Sequence, residues 1–393
     1  MTATAPAFLH LCAGLEASPP LDRLAAAYRC CALDLLEKAL ASSAFDPVVL
    51  ATDDPGLAQE SERLGVRVVR VQGKGFAPAL LQAAAVAGKT RLVYWGRGTG
   101  ALTNPEGLRL WSERALALEH AVLANNLYSA DILALHPAAA LQQIELPPRD
   151  NGLALALCRQ AGLKPQALEP ALPWLFDIDT PADLAILALL GPPSPRLAAW
   201  LGEQEHSLTR LQGVLRVLGD PFSQLLVAGR VGSHAWSVLE RQTACKVRVY
   251  SEERGLAAEG REEAGPARSL LGMLLEDRGP GGLMQALAEL GQAALLDSRV
   301  LLAHRGRAVS RQDRFWSDLL VSSAIADPWL RELTEAALGA PLPVVLGGHS
   351  LMSGGVLALC EIARRQAGPG APPIPPGPGP GQQPQTLGLN PRR

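Results

Sequence analysis

The first half of the chain alternates short apolar runs with longer segments in which apolar residues recur at helical spacing. The short runs predict strands and the longer segments predict helices, because a helix buries only one side of its surface. The predicted strands are residues 8–13, 47–52, 66–71, 91–95, 131–135 and 174–178. The predicted helices are residues 21–41, 56–64, 76–87, 105–123, 152–161 and 181–190. This alternation predicts an α/β fold with a doubly wound, mostly parallel sheet.

A new pattern starts after the turn-rich sequence Gly191-Pro-Pro-Ser-Pro195, which is typical of a stiff linker. It predicts helices over residues 197–217 and 235–241, strands over 224–228, 246–251 and 343–346, and long helical segments broken at 279–282. We therefore expect a first domain over residues 1–190, a linker over 191–196 and a second α/β domain, rich in helix, over 197–367. The proline- and glycine-rich residues 368–393 cannot bury a core and are expected to be disordered.

Composition narrows the classes of function. With 393 residues, 48% of them hydrophobic, the chain can bury two cores. The formal net charge of -2 argues against a general nucleic-acid or anionic-membrane surface, which needs a concentrated basic field. Arginine greatly outnumbers lysine, which we attribute to base composition rather than to phosphate binding. The six cysteines are scattered without zinc spacing, and no window is typical of a membrane span, so we expect a soluble cytoplasmic protein.

The sequence PWLFDIDTPADL, residues 173–184, contains the main candidate site. Its apolar start indicates a strand, and Thr180 and Asp183 around a proline are a strong helix-start signal. Asp177 and Asp179 are therefore expected at the carboxyl end of a strand, where open α/β sheets bind ligands. Two such carboxylates suit Mg2+ carrying phosphates. The alternative is a capped helix start without any bound ion.

The DIDTPADL run, residues 177–184, resembles a motif of nucleotidyltransferases with a GT-A-like, Rossmann-like α/β fold, notably the molybdenum-cofactor and phospholactate guanylyltransferases. The similarity extends over residues 8–190. It includes residues 73–88, which resemble the nucleotide-contacting turn and helix of the family, and residues 93–108, which resemble its central strand and the following helix start. The second half of the chain resembles no family that we recognise.

The resemblance implies a reaction in which a phosphorylated acceptor attacks the α-phosphate of a nucleoside triphosphate and expels pyrophosphate. It implies that Mg2+ bridges the phosphates and that Asp179, with help from Asp177, holds the ion. Basic and nucleotide-contacting residues are expected in the turn at 73–75 and after the central strand. These candidates are Gly73, Lys74, Gly75 and Arg97.

Two segments depart from the family pattern. The first loop of the family is glycine-rich and basic, whereas residues 11–24 hold one glycine and two prolines and offer few amides to a phosphate. The family places a metal-binding acid after the central strand, where this chain has GRGTG, residues 96–100. Arg97 can replace part of the charge of the ion there. A neighbouring strand offers alternative ligands, namely Asn125, Asn126 and Asp131.

Two glycine-rich turns follow predicted strands in the second half. The sequence GRVGSHAW, residues 229–236, opens a helix, so its amides, Arg230 and Ser233 can bind an anion; the alternative is a simple capped helix. The sequence GHSLM is superficially similar to a nucleophile elbow, but no histidine follows Ser350 and we expect no catalytic serine there. The turn at 347–355 is expected to be an anion cradle or a site of close backbone packing.

Three classes of function remain open at this point. The leading one is a divergent nucleotidyltransferase whose partners are a nucleoside triphosphate and a small phosphorylated acceptor. The second is a degenerate module that binds a nucleotide or nucleotide-sugar and supports the second domain, and the third is a non-catalytic scaffold. Convergence of Asp177, Asp179 and Arg97 or Lys74 on one open cleft favours the first two classes. Burial of the acids in protein hydrogen bonds favours the scaffold.

Overall fold

The computed structural model describes residues 5–72, 75–254 and 267–368. Gly73 and Lys74, two of the expected nucleotide contacts, and the predicted tail beyond residue 368 lie outside the described residues.

Seven strands of the first half form a sheet in the order β3-β2-β1-β4-β6-β5-β7. The strands are β1 (Ala7–Leu11), β2 (Val48–Thr52), β3 (Arg67–Arg70), β4 (Leu92–Trp95), β5 (Ala121–Ala124), β6 (Ile132–His136) and β7 (Lys164–Ala167). Strand β6 is antiparallel to β4 and β5, and the other pairs are parallel. The helices are α1 (Leu21–Ser42), α2 (Pro55–Arg63), α3 (Phe76–Ala87), α4 (Pro105–Leu116), α5 (Leu153–Ala161), the single turn α6 (Leu172–Leu175) and α7 (Pro181–Leu190). The predicted fold class is confirmed.

Helices bury both faces of this sheet. Alternate residues of a strand point to opposite faces. Phe8 of β1 therefore packs near Trp95 of β4, with ring centroids 6.0 Å apart, in the core that includes α1, α4 and α7. Leu9 and Tyr94 belong to the opposite core, which includes α3 and α5. Burial on both faces explains why the central strands are continuously apolar in sequence.

Four parallel strands of the second half form a smaller sheet in the order β11-β10-β8-β9. They are β8 (Gln224–Gly229), β9 (Lys246–Ser251), β10 (Ala293–Asp297) and β11 (Val344–Gly347). The helices are α8 (Pro195–Gly202), α9 (Thr209–Leu218), α10 (Ser233–Gln242), α11 (Leu270–Leu290), α12 (Ser298–His304), α13 (Arg311–Asp318), α14 (Pro328–Leu338) and α15 (Val356–Ala367). Helix α11 is kinked at Gly279, where φ is 68°, at the predicted break. The second half is therefore an α/β unit rich in helix.

The strand predicted over residues 174–178 is wrong. Helix α6 ends at Leu175, and Asp177 makes only an isolated bridge to Thr99. The run is apolar because it packs between the two halves and not inside a sheet. A Cβ added at Gly354 would lie 2.4 Å from the carbonyl oxygen of Leu175, so the backbones meet there directly. The turn at 347–355 is thus a site of close backbone packing, one of its two expected roles.

Three strands were missed by the sequence pattern, and two predicted helices were too long. Strands β5 and β10 are short runs rich in alanine and leucine, which fit a helix as well as a strand. Strand β7 is an exposed edge strand that contains a proline. The helix predicted over 105–123 ends at Leu116, and the one predicted over 197–217 is divided into α8 and α9.

No single helix in the described ranges is both long and apolar enough to cross a bilayer. The pair α7 and α8, bent by 102°, meets that length and composition only when both helices are taken together.

The two halves share one buried hydrophobic cluster. It extends from Phe8 through Ile186 of α7 to Leu359 of α15, and α7 packs against α15. Within the expected linker, Ser194 is buried and its hydroxyl donates to the carbonyl of Ala101 at 2.7 Å. Independent folding of two domains, divided at residues 191–196, stays a prediction.

His10 is expected to make stability pH-dependent. It is 1% exposed in β1, and its Nδ1 lies 3.0 Å from the carbonyl oxygen of Trp95. Burial lowers the pKa of His10 to about 4. An unfolded histidine takes up a proton near pH 6.5, so the contribution of His10 is complete above that pH. It is lost as the pH falls toward 4, by about 3 kcal/mol in total.

Chemical denaturation between pH 7.5 and 4.5 checks this expectation. The His10→Gln variant should lose less stability on acidification than the unmodified protein. His120 is exposed, and His120→Asn is the matched control that should keep the original pH dependence. Equal slopes for all three proteins would contradict the assignment.

Candidate functional site

The carboxyl ends of both sheets open into one cavity of about 970 Å3. Residues that follow strand ends in each half line it: Gly14 after β1, Asp53 after β2, Arg97 after β4, Arg230 after β8, Arg299 after β10 and His349 after β11. Open α/β sheets bind ligands at this edge, in the crevice where the strand order reverses. That reversal lies between β1 and β4 in the first half and between β8 and β10 in the second. The cavity joins both crevices.

Asp177, Asp179 and Arg97 converge on the wall of this cavity. Asp177 is half-buried and Asp179 is exposed. Burial and the nearby charges of Asp131 and Asp179 raise the pKa of Asp177 well above its usual range. A carboxylate in this position is close to other acids and lacks a compensating cation. The arrangement favours a binding or catalytic site over a purely structural helix cap.

The glycine-rich residues 96–100 hold this acidic segment in place. The N–H of Ile178 donates to the carbonyl of Gly98 at 3.0 Å. Gly98 has a φ of 86°, and a Cβ there would lie 2.4 Å from the carbonyl oxygen of Ile178. Glycine is required for both reasons. The GRGTG sequence, which departs from the family pattern, therefore positions Asp177 and Asp179.

Asp183 has the structural role of a capping residue. Its Oδ2 accepts hydrogen bonds from the N–H of Thr180 at 2.7 Å and from the N–H of Asp179 at 3.1 Å. It also accepts one from the hydroxyl of Ser350 at 2.7 Å, which ties the second half to this turn. Burial raises the pKa of Asp183 to about 7. Ser350 is buried and stabilises the helix start of α7.

Two further carboxylates, Asp131 and Asp150, lie at the end of the central strand β4. Oδ2 of Asp150 accepts a hydrogen bond from the hydroxyl of Tyr94 at 2.9 Å, and it lies 2.7 Å from where a Cβ on Gly96 would be. Burial raises the pKa of both acids, and the charges of Asp150 and Asp179 raise the pKa of Asp131 further. Asp150 thus occupies the place where the family pattern has an acid after the central strand.

Sequence analysis named Asp131 as one alternative ligand but missed Asp150. Asp150 begins a single turn, Asp150–Gly152, far along the chain from Gly96, and no local pattern marks it. The other named alternative, Asn125, donates to the carbonyl of Trp174 at 2.9 Å and accepts from the N–H of Ile132 at 3.1 Å. It therefore anchors the chain.

The loop after β1 is closed by groups of the protein itself. The N–H of Gly14 lies 3.0 Å from both carboxylate oxygens of Asp53. Arg97 donates to the carbonyls of Ala13 at 2.7 Å and of Gly14 at 3.1 Å, and its guanidinium lies 5.0 Å from the ring centroid of Tyr28. An amide expected to contact phosphate is occupied by a carboxylate. Arg97 positions the loop, and its catalytic role stays a prediction.

The second half contributes arginines to the opposite wall. Arg299 is held by buried Asp318 through bonds of 2.6 and 2.5 Å, and Arg230 by buried Asp297 through bonds of 2.7 and 3.1 Å. Arg314 has no hydrogen-bond or ion-pair partner in the part of the chain that the structure describes, and its Nε is buried. Burial and the charge of Arg299 lower the pKa of Arg314. Such a cation is suited to an anionic ligand.

Helix α13 brings this wall against the first loop. Arg311 donates to Oε1 of Glu16 at 3.3 Å and to the hydroxyl of Tyr28 at 3.4 Å. Gln312 donates to the carbonyl of Pro19 at 2.5 Å. Sequence analysis missed the arginine wall because its members lie in separate helices and share no motif.

The carboxylates were tested as ligands for Mg2+. Within the described ranges no three His, Cys, Asp or Glu side chains stand close enough to hold a metal ion. Mg2+ commonly binds one or two carboxylates and completes its shell with phosphate oxygens and water. Asp177 and Asp179 fit that role, because both line the cavity and Asp177 lacks a compensating cation. The donor set suits an ion that arrives with a nucleotide.

The remaining predicted contacts also lie at the cavity. Gly75, which precedes α3 with a φ of 76°, and Ser233, the exposed first residue of α10, both line it. Arg230 lines it too, with its guanidinium held by Asp297.

No protein family model and no curated protein matches the chain. Among solved structures, it is similar to CMP:2-keto-3-deoxy-manno-octonic acid synthetase complexed with CTP, at 15% identity and a TM-score of 0.35, over 46% of this chain and 95% of that chain. It is similar to a nucleotidyl transferase from Methanothermobacter thermautotroptrophicus, at 17% identity and a TM-score of 0.35, over 45% and 92%. It is also similar to a cytidylyltransferase from Leptospira borgpetersenii serovar Hardjo-bovis, at 15% identity and a TM-score of 0.37, over 48% and 87%. Kinship with the guanylyltransferases in particular stays a prediction.

Proposed function

We propose that this protein is a divergent nucleotidyltransferase, which transfers a nucleoside monophosphate from a nucleoside triphosphate to a small phosphorylated acceptor and releases pyrophosphate. The observation that carries the proposal is the distribution of charge around one cavity. Asp131, Asp150, Asp177 and Asp179 line the wall of the first half, and arginines line the wall of the second. Carboxylates facing cations across a cavity suit a metal-bound phosphate chain.

The reaction moves negative charge onto the leaving group. An oxygen of the acceptor phosphate forms a bond to the α-phosphorus. The bond from that phosphorus to the oxygen shared with the β-phosphate breaks, and its electron pair leaves with pyrophosphate. Arg314 feels the charges of both Asp179 and Arg311, which places it where that charge develops. A cavity of about 970 Å3 accommodates a nucleotide together with a small acceptor.

Asp177 and Asp179 would hold Mg2+ on the acidic side of the phosphate chain. When bound, the ion supplies charge neutralisation of the phosphates. On the opposite side the arginines of the second half bind phosphate oxygens. The segment that holds the two acids is fixed by Gly98 and by the capping of Asp183, so the carboxylates are positioned before substrate arrives.

The nucleoside is assigned to the side of the cavity at the start of α3. Phe76 begins this helix and packs edge-on against Tyr94, with ring centroids 5.9 Å apart. Gly75 precedes it on the cavity wall, and the predicted turn that includes Gly73 and Lys74 leads into this position. An aromatic edge beside a glycine turn leaves room for a flat base.

A second candidate function is nucleotide binding without turnover, which the first loop favours. The N–H of Gly14 is occupied by Asp53, and Arg97 is bonded to two backbone carbonyls. Loss of one preorganised phosphate contact costs about 3 kcal/mol of transition-state stabilisation, roughly a hundredfold in rate. We therefore expect nucleotide affinity to be easier to detect than pyrophosphate release.

A thermal-shift screen of the four common nucleoside triphosphates, with and without Mg2+, tests the proposal. Those that stabilise the protein are then assayed for pyrophosphate release with small phosphorylated acceptors. Mg2+-dependent stabilisation with acceptor-dependent release supports the transferase. Stabilisation without release supports the binding module, and no stabilisation by any of them contradicts both.

Arg314→Gln is expected to weaken triphosphate binding roughly 10- to 100-fold, because a hydrogen bond to a charged group contributes about 1.5–3 kcal/mol. Calorimetric titration measures the affinity. Binding of the nucleoside without phosphates should not change. Arg278 is exposed on α11, and Arg278→Gln is the matched control. Equal triphosphate affinities for the two variants would show that Arg314 does not contact the phosphate chain.

A further inference from the structure

Helix α10 begins at the cavity without a side-chain cap. Gly232 is its capping residue, and no side chain accepts a hydrogen bond from the first turn. The first N–H groups of a helix have no partner inside the helix and carry partial positive charge. The residues at this start line the cavity, namely Gly232, Ser233, His234 and Ala235.

An arginine without a counter-ion lies against this helix start. Nη1 of Arg254 lies 2.8 Å from where a Cβ on Gly232 would be, so the glycine makes room for the guanidinium. None of the residues that the structure describes pairs with Arg254, whereas neighbouring Arg230 is held by Asp297 through bonds of 2.7 and 3.1 Å. Burial and the charge of Arg230 lower the pKa of Arg254. Positive charge on this wall therefore exceeds its compensation.

His349 adds a polar atom that lacks a partner. Its Nδ1 is buried in the cavity wall without a hydrogen bond, and burial lowers the pKa of His349 to about 4, so the ring is neutral near pH 7. A neutral ring with hydrogen on Nδ1 donates to an oxygen ligand. The preceding Gly348 is close to the acidic wall, since a Cβ there would lie 3.5 Å from Oδ2 of Asp179.

The topology of the second sheet gives an independent reason for a ligand at this position. From β8 the chain continues to β9 on one side, and β10 lies on the other side of β8. The strand order therefore reverses between β8 and β10, and ligands of open α/β sheets bind at the carboxyl end of such a reversal. The α10 start follows β8, and Asp297 ends β10.

We infer that the amides at the start of α10, Arg254 and His349 form a phosphate subsite, which holds the phosphate group of the acceptor. The assignment to the acceptor rests on the proposed transferase function. The chemical class of ligand is a phosphomonoester, whose dianion supplies the missing negative charge and whose oxygens accept from the amides, the guanidinium and the imidazole. The proximity of Gly348 to Asp179 brings this phosphate to the edge of the acidic wall, where its oxygen attacks.

Calorimetric titration of the full chain with inorganic phosphate and with methyl phosphate, in the absence of Mg2+, tests the subsite. Arg254→Gln should lower the affinity for both probes at least tenfold, and His349→Ala should lower it three- to tenfold. Arg278→Gln on exposed α11 should leave it unchanged. Asp179→Asn removes a negative charge from the facing wall and should not weaken phosphate binding.

Each outcome separates the subsite from the transferase function. Phosphate binding that depends on Arg254, with no pyrophosphate release from any nucleotide, supports the subsite and contradicts the transferase. Mg2+-dependent nucleotide turnover with phosphate affinity unchanged in Arg254→Gln supports the transferase and overturns the subsite. Failure of the unmodified protein to bind either probe also overturns the subsite.

Discussion

Asp179→Asn is expected to abolish the Mg2+-dependent part of nucleotide stabilisation and to reduce pyrophosphate release roughly 100- to 1000-fold. The substitution removes one of two carboxylates proposed to hold the ion, and loss of a preorganised electrostatic contact has an effect of this size. Asp179 is exposed, and its bond to Asp183 comes from its backbone N–H, so the variant should stay folded. Thermal shift with and without Mg2+, together with a pyrophosphate assay, measures both effects.

Asp277→Asn is the matched control for this experiment. Asp277 is an exposed acid on α11, and its loss changes the net charge equally without touching the cavity wall. If Asp179→Asn keeps the whole Mg2+ effect, the metal assignment is wrong. If Asp277→Asn loses it too, the effect comes from net charge and the assignment fails as well.

Asp318→Ala is expected to lower the free energy of unfolding by about 3–5 kcal/mol. Its side chain is fully buried and binds Arg299, which is 13% exposed, through two hydrogen bonds. Removal of one partner leaves a buried charge uncompensated, and such losses are of this size. Arg299 lies on the cavity wall near Asp179, so nucleotide binding should weaken together with stability. Chemical denaturation measures the first effect and calorimetric titration the second.

An exposed ion pair provides the comparison. Glu62 and Arg70 are 2.9 Å apart, with side chains 47% and 58% exposed, and Glu62→Ala should cost no more than about 1 kcal/mol. Similar losses for Glu62→Ala and Asp318→Ala would show that burial does not determine the strength of the Arg299 pair.

The architecture of the first half was largely predictable because its signals are local. Periodicity located β1 to β4 and the helices between them, and residues 181–190 were assigned to a helix with the observed bounds. Strands β5 and β10 could not be found in this way, since a short apolar run has no periodicity that separates strand from helix. The run at 174–178 was mistaken for a strand because burial between two packed halves and burial inside a sheet leave the same apolar pattern.

The candidate site divides along the same line. The sequence by itself determined that Asp177 and Asp179 precede a capped helix, because Thr180 and Asp183 lie within hydrogen-bond reach of the same turn. Only the tertiary structure decided what surrounds these acids. Asp150 reaches the end of the central strand from a distant turn, and Arg254, Arg314 and other basic groups reach the cavity from separate elements of the second half. A local motif reflects bonds along a few residues, whereas the field in a cavity depends on distances between segments, which packing alone establishes.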